Sequence, residues 1–215
     1  MSIAWERVRA VCLDMDGTLV DSDAAWLEAT RRAFARFGME LTDEQYGETL
    51  GLDNATGVRA VLPHFPQVAI EPSKVVHALE EEVQAAFRRG VKPMPDADRL
   101  LAKWKSRWPL ALVSTSSEAL IRSALQGLGW ERFFTLTLSS EQVGPSKPDP
   151  AVYREAVRRL GVEPGQALAL EDSVNGARAA AAAGLQVIGV AGDPVTAGLL
   201  QPHVNLHITR LSELL

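Results

Sequence analysis

Two carboxylates follow directly after an apolar run near the start of the chain. The run from Val8 to Leu13 has the β-branched and apolar content of a buried strand, and it leads into Asp14-Met-Asp16-Gly. Side chains two residues apart on extended backbone project to the same side, so Asp14 and Asp16 can act on one cation or one phosphorus atom. Gly17 allows a sharp turn and the close approach of a ligand. The alternative is that the aspartates cap a following helix, which needs only one acceptor.

Three further polar groups end or follow predicted strands. They are Ser114 with Thr115, Lys147 within Ser-Lys-Pro-Asp, and Glu171 with Asp172. Because the carboxyl ends of parallel strands meet at one edge of a sheet, we expect these groups to lie near the first pair of aspartates. A hydroxyl that precedes a helix N-terminus also offers O–H and N–H groups to a phosphate.

Each of these groups has a simpler structural interpretation. Thr115 and Glu118 fit a capping box for the next helix, and Lys147 fits a solvated turn. Asp172 fits a plain helix N-cap, and Glu171 fits a solvated acid. The sequence alone leaves both interpretations open at each position.

Electrostatics favours a shared site that contains a cation. Two carboxylates 4 Å apart repel by roughly 4 kcal/mol at an effective dielectric constant near 20, so gathering Asp14, Asp16 and Asp172 requires a positive partner. Oxygen ligands without a His or Cys cluster suit Mg²⁺, which binds through carboxylates and substrate phosphate. Lys147 would supply a second positive centre.

Composition limits the classes of partner. The 215 residues are 47% hydrophobic and 23% charged, with a net charge of −5, and the arginines lie beside acids on helical stretches. These proportions predict a globular protein without a nucleic-acid partner. The single cysteine, Cys12, fits a reducing compartment, and the longest uncharged stretch, residues 179–192, is too short to span a bilayer. We therefore expect a cytoplasmic protein without a membrane partner.

Helical periodicity dominates the stretch after Asp21. The predicted elements are a helix over 24–37, a second helix opened by the capping box Thr42-Asp-Glu-Gln45, a third capped by Asn54, and a fourth over 72–89. No convincing strand interrupts them. The pattern indicates an inserted helical domain over residues 21–91.

Strands and helices alternate through the rest of the chain. The predicted strands are 110–113, 134–138, 167–170, 186–190 and 204–208, and the predicted helices are one through Leu100 and Trp104, then 118–125, 150–160 and 176–183. This alternation predicts a doubly wound, mostly parallel Rossmann-like α/β sheet. The core domain would comprise residues 1–20 and 92–215.

The polar groups together resemble a known family. Their order and spacing match the four motifs of the haloacid dehalogenase-like superfamily: Asp14-Met-Asp16-Gly-Thr18, Ser114 after an apolar strand, Lys147 in Ser-Lys-Pro-Asp-Pro, and Leu-Glu171-Asp172-Ser-Val-Asn175-Gly176. The helical insertion resembles the α-helical cap of the β-phosphoglucomutase-like branch. The match extends over the whole chain.

The resemblance implies a Mg²⁺-dependent phosphotransferase. Asp14 would be the nucleophile, Asp16 the acid and base, and Ser114 and Lys147 the phosphate binders. Asp172 would bind the metal, with Glu171 as a nearer or water-mediated ligand. We accordingly expect the metal ligands to come from Asp14, Asp16, Glu171 and Asp172, and Thr115 to help bind substrate.

Residues of the insertion bear on the choice of substrate. Dehalogenases of the superfamily typically lack the second aspartate, so Asp16 argues against that activity. The position of the mutase histidine is held by Trp26, which resembles hexose- and hexitol-phosphate phosphatases, although a core role for Trp26 fits equally. Gly51 and Asp53 lie in a break between helices that could contact substrate or be a plain turn.

We therefore predict a phosphatase acting on a small phosphorylated metabolite, a sugar or sugar-alcohol phosphate, as a monomer or weak dimer. A β-phosphoglucomutase-type phosphomutase is the first alternative. A non-catalytic regulator that binds a phosphorylated ligand is the second.

Overall fold

The chain divides into two compact units. A computed structural model describes residues 2–50 and 52–215. One unit consists of the chain up to Asp21 together with Lys92–Leu215, and the other is Ser22–Val91. Asp21 belongs to the first unit, one residue later than the sequence boundary, because it pairs with Lys92 in a short antiparallel ladder. Within the described ranges, no helix is long and apolar enough to cross a membrane.

The first unit is built on a six-stranded sheet and a short two-stranded one. Its strands are β1 Ala10–Leu13, β2 Val20–Asp21, β3 Lys92–Pro93, β4 Leu110–Ser114, β5 Leu136–Ser139, β6 Ala167–Glu171, β7 Gln186–Val190 and β8 Leu206–Ile208. The six-stranded sheet has the order β5-β4-β1-β6-β7-β8, and all of its strand pairs are parallel. Strand order reverses at β1, which lies between β4 and β6.

Helices of the first unit cover the sheet because its central strands are apolar on both faces. Every residue of β1, β4 and β6 is buried. The helices of this unit are α5 Ala97–Lys105, α6 Glu118–Leu128, α7 Ala151–Leu160, α8 Val174–Ala182 and α9 Pro194–Leu200. α7 packs against β4 and β5, and α8 packs against β6 and β7. The predicted α/β class is confirmed.

The second unit contains helices and no strand among the residues that the structure describes. Its helices are α1 Asp23–Ala35, α2 Asp43–Gly47, α3 Asn54–Val61 and α4 Pro72–Arg89. α4 packs along both α1 and α3, and its apolar face contributes Val83 and Phe87 to the core. Phe34 of α1 is fully buried, with its ring centroid 6.4 Å from that of Phe65.

Local sequence signals located most elements to within a few residues. The capping box of α2 forms, with Thr42 and Gln45 satisfying each other's backbone. Prediction of Asn54 as a cap was wrong by one residue, because the carboxylate of Asp53 accepts from the Thr56 N–H and caps α3. The helix α9 and the two-stranded β2–β3 sheet were missed. A seven-residue helix and two-residue strands are too short for a periodic signal.

Candidate active site

The carboxyl ends of three neighbouring strands bring the chemical groups together. β1 ends immediately before Asp14, whose N–H donates to the Leu170 carbonyl of β6 at 3.1 Å. β4 ends at Ser114, and β6 ends at Glu171. Since strand order reverses at β1, these ends surround the point where open α/β sheets bind their ligands.

Lys147 lies among these groups from the loop that precedes α7. Its Nζ donates to Asp14 Oδ1 and to Glu171 Oε1, both at 2.6 Å, and to the Val113 carbonyl at 3.0 Å. Those three acceptors match the three protons of an ammonium group. Lys147 is only 9% exposed, so its interpretation as a solvated turn lysine is wrong.

The ion pairs of Lys147 with Asp14 and Glu171 are buried away from solvent. Burial raises the pKa of the Asp14 carboxyl well above its ordinary value, the Lys147 charge opposes this rise, and the charges of Glu171 and Asp172 add to it. Burial alone would lower the pKa of Lys147, but the two carboxylates outweigh it and hold that pKa above its usual range. Lys147 is therefore a fixed cation, and Asp14 depends on nearby positive charge to remain ionised.

Asp172 faces the same cluster from the start of the β6–α8 loop. Its Oδ1 accepts from the buried Thr18 hydroxyl at 3.1 Å. A Cβ atom on Gly17 would lie 2.0 Å from Asp172 Oδ2, so only glycine permits this approach. The cap of α8 is Ser173, which excludes the plain N-cap interpretation of Asp172.

Glu171 is completely buried, which excludes its interpretation as a solvated acid. Its Oε1 accepts from Lys147 and from the hydroxyl of Tyr153. A Cβ atom on Gly176 would lie 1.9 Å from Glu171 Oε2, because the carboxylate packs directly on the first turn of α8. Gly176 therefore makes room for Glu171.

The donor set fits a hard divalent cation. Asp14, Glu171 and Asp172 each offer a carboxylate oxygen, and these atoms lie within 4.8 Å of one another. Three carboxylates against the single ammonium of Lys147 leave two negative charges when all are ionised. Oxygen-only ligands of this charge match the preference of Mg²⁺.

Asp16 has a different environment from these three acids. It lies outside the carboxylate group found among the described residues, although we had expected it to bind the metal. Its Oδ2 accepts from the Ser116 hydroxyl at 2.7 Å. Ser114, which is buried, accepts the Ser116 N–H at 2.9 Å through its Oγ.

Tyr153 and Ser116 were not identified as residues of the site from the sequence. Tyr153 occupies an apolar position of the amphipathic α7, so its pattern is that of a core residue, and its ring centroid lies 5.1 Å from Lys147 Nζ. Ser116 repeats, on the neighbouring strand end, the two-residue spacing of Asp14 and Asp16. That repeated spacing was a signal that could have identified Ser116.

The remaining candidates are the residues predicted to bind substrate. Thr115 is exposed and does not cap α6; Ser117 does, by accepting from the Leu120 N–H. In the second unit, Trp26 is partly buried and its ring centroid lies 6.5 Å from that of Phe87. Asp53 caps α3, as described above. Gly51 lies outside the described residues.

Comparison with known proteins identifies the family. The model of the haloacid dehalogenase-like hydrolase family matches residues 8–184. The chain belongs to this family, as the motifs had indicated, and it is therefore a hydrolase by family.

Relatives with established names cover nearly the same length. Fructose-1-phosphate phosphatase YqaB of Escherichia coli strain K12 is 27% identical over 86% of this chain and 98% of its own. Hexitol phosphatase B of the same strain is 29% identical over 97% of this chain and 93% of its own. The crystal structure of CbbY from Rhodobacter sphaeroides in complex with phosphate is 28% identical, with a TM-score of 0.83 and 96% of each chain covered.

The close approach of the Glu171 carboxylate to Gly176 in α8 predicts that one added methyl group at position 176 lowers the free energy of unfolding. Gly176→Ala places a Cβ 1.9 Å from Glu171 Oε2, so the fixed carboxylate or the helix must move. We expect a loss of about 1–3 kcal/mol in unfolding free energy. Gly127→Ala is the matched control in α6, where a Cβ has no neighbour within 4 Å, and it should gain up to about 1 kcal/mol. Equal effects in urea unfolding would contradict the close-packing argument.

The close grouping of acids also predicts that the Asp172 carboxylate destabilises the folded protein when no metal is bound. Burial raises the pKa of Asp172 to about 7, so the folded state binds a proton more tightly than the unfolded state. Stability from this group is present at low pH and is lost as pH rises toward about 7. In EDTA, Asp172→Asn should therefore be more stable than wild type by about 1–2 kcal/mol near pH 8, with little difference near pH 4.

Thermal unfolding at both pH values measures this difference. Adding Mg²⁺ near neutral pH should raise the melting temperature of the wild type more than that of Asp172→Asn, because the amide is a weaker ligand than a carboxylate. A variant that is less stable than wild type in EDTA at alkaline pH would show that Asp172 is not electrostatically strained.

Proposed function

We propose that this protein is a Mg²⁺-dependent phosphatase that hydrolyses small phosphomonoesters through an aspartyl-phosphate intermediate. Sugar or sugar-alcohol phosphates are the proposed substrates. The observation that carries the proposal is the buried Asp14 carboxylate at the end of β1, paired with Lys147 at 2.6 Å and grouped with Glu171 and Asp172. The helical unit, Ser22–Val91, would act as the cap that selects the substrate.

Asp14 acts as the nucleophile in this mechanism. One of its carboxylate oxygens forms a bond to phosphorus while the bond from phosphorus to the alcohol oxygen breaks. The leaving oxygen keeps the electron pair of that bond and takes a proton from Asp16. This division into two displacements replaces one difficult step with two easier ones.

Hydrolysis of the intermediate reverses the role of Asp16. Asp16 takes a proton from a water molecule whose oxygen bonds to phosphorus, and the bond from phosphorus to Asp14 breaks. Inorganic phosphate leaves, and both aspartates return to their starting states. A carboxyl group that serves as acid and then as base needs no further proton carrier.

The other residues bind and orient the phosphoryl group. Ser114 and the N–H groups of the loop after Asp14 would donate to its oxygens, and the Lys147 charge would offset the charge of the transition state. Asp14, Asp172 and Glu171, the last directly or through water, would hold Mg²⁺. When bound, Mg²⁺ supplies electrostatic stabilisation of the phosphoryl oxygens.

The proposed substrate class is supported by the names of the relatives. YqaB is named as a fructose-1-phosphate phosphatase, and a second relative as a hexitol phosphatase. A tryptophan at position 26, where the mutase branch carries a histidine, favours hydrolysis over mutase activity. The cap residues that would choose between sugars are Trp26, Gly51 and Asp53, with Thr115 from the core.

The first test is a panel of phosphomonoesters assayed with Mg²⁺ and with EDTA. We expect inorganic phosphate from one or more sugar or sugar-alcohol phosphates, and a loss of at least about a hundredfold in rate in EDTA, because the carboxylate cluster then lacks its counterion. Phosphate release is measured colorimetrically.

The panel also includes β-glucose 1-phosphate with its bisphosphate activator, since net formation of glucose 6-phosphate would identify a mutase instead. No turnover of any compound would favour the non-catalytic regulator.

The nucleophile is tested by Asp14→Asn. An amide oxygen cannot form the acyl phosphate, so turnover should fall by at least about a thousandfold while binding of inorganic phosphate is largely retained. Phosphate binding is measured by calorimetry and turnover by phosphate release. Asp193→Asn is the matched control, because Asp193 is an exposed cap of α9 and Asn caps equally well. Substantial activity in Asp14→Asn would remove Asp14 from the nucleophile role.

A further inference from the structure

Ser116 contacts the proposed acid and base directly. Its hydroxyl donates to Asp16 Oδ2 at 2.7 Å, and the residue is only 6% exposed. The hydrogen bond is part-buried, and a bond to a carboxylate that is partly shielded from water is stronger than one in bulk water. The contact therefore restricts the orientation of the Asp16 carboxyl group.

The backbone of Ser116 is held on both sides. Its N–H donates to Ser114 Oγ at 2.9 Å, and its carbonyl accepts from Ser139 Oγ at 2.8 Å. Ser114 and Ser139 are register partners at the ends of β4 and β5. The sheet thus fixes the position from which Ser116 reaches Asp16, which is what precise orientation of a reacting group requires.

We propose that Ser116 is a positioning residue for Asp16 and acts through it on the leaving group. This inference rests on the proposed function, in which Asp16 gives a proton to the departing oxygen and then takes one from water. A hydroxyl can donate and accept hydrogen bonds, so Ser116 can remain bonded to Asp16 in both protonation states. A residue with only an acceptor would have no hydrogen bond to offer the ionised carboxylate.

The competing role for Ser116 is direct binding of the phosphoryl group. The two roles differ in which substrates they affect. A phosphate contact is the same in every phosphomonoester, whereas proton donation matters for an alkoxide leaving group and much less for a nitrophenolate. The dependence of the effect on the leaving group therefore separates the two roles.

The experiment compares 4-nitrobenzyl phosphate with 4-nitrophenyl phosphate. Both carry the same ring, and kcat/KM reports the steps up to release of the alcohol or phenol. Ser116→Ala should lower kcat/KM by about ten- to a hundredfold for the benzyl ester and less than about threefold for the phenyl ester. Because both values come from one preparation, their ratio does not depend on the folded fraction.

Ser117→Ala is the matched control from the same loop. The Ser117 hydroxyl accepts from the Leu120 N–H and caps α6, so its loss should lower the melting temperature without changing the ratio of the two kcat/KM values. Ser116→Thr retains the hydroxyl and should restore the ratio toward that of wild type. Combining Ser116→Ala with Asp16→Asn should change the ratio no further than Asp16→Asn alone, since Ser116 acts through that carboxyl.

Each outcome decides the inference. A selective loss on the benzyl ester that disappears in the Asp16→Asn background supports it. Equal losses on both esters would assign Ser116 to phosphate binding and overturn the inference. Unchanged kinetics on both esters would also overturn the inference. If the wild type hydrolyses neither these esters nor any sugar phosphate, the proposed function itself has failed, and the wild-type assay distinguishes that result from a failure at Ser116.

Discussion

The buried ammonium group of Lys147 is the interaction on which the candidate site depends. It joins Asp14 and Glu171 at 2.6 Å each, and it is the cation that offsets desolvated carboxylates at the edge of the sheet. Removing one partner of such a buried pair leaves an uncompensated charge and is strongly destabilising. When all three carboxyl groups are ionised, the ion pair still leaves the cluster negative overall, so the same contacts that fix Asp14 favour the binding of a divalent cation.

Small residues make this concentration of acids possible. Gly17 and Gly176 each lie where a Cβ atom would come within about 2 Å of a carboxylate oxygen, from Asp172 and Glu171 respectively. The Thr18 hydroxyl then satisfies one oxygen of Asp172. The site is thus built by close backbone approach as well as by charged side chains, and it stores electrostatic repulsion that binding of a divalent cation would relieve.

Much of the architecture could be predicted because its signals are local. The apolar run before Asp14 and the alternation after residue 92 gave the parallel sheet, and α4 has the bounds its periodicity and Pro72 predicted. Topology rules then placed Lys147 and Asp172 beside Asp14 without any knowledge of distances. The short α9 was missed, since a helix of seven residues buries too small a stripe to show a period.

The sequence by itself determined the fold class, the family and the set of acids at the strand ends, because these follow from periodicity and from the order of motifs. Only the tertiary structure decided which alternative held at each ambiguous residue. Lys147 and Glu171 are buried, Ser117 rather than Thr115 caps α6, and Ser116 contacts Asp16. The Lys147 and Ser116 side chains bond to residues 24 to 133 positions away, so no local pattern can specify these contacts. The Ser117 cap is a local bond to the Leu120 N–H, but the run of adjacent hydroxyls offered Thr115 as an equal candidate.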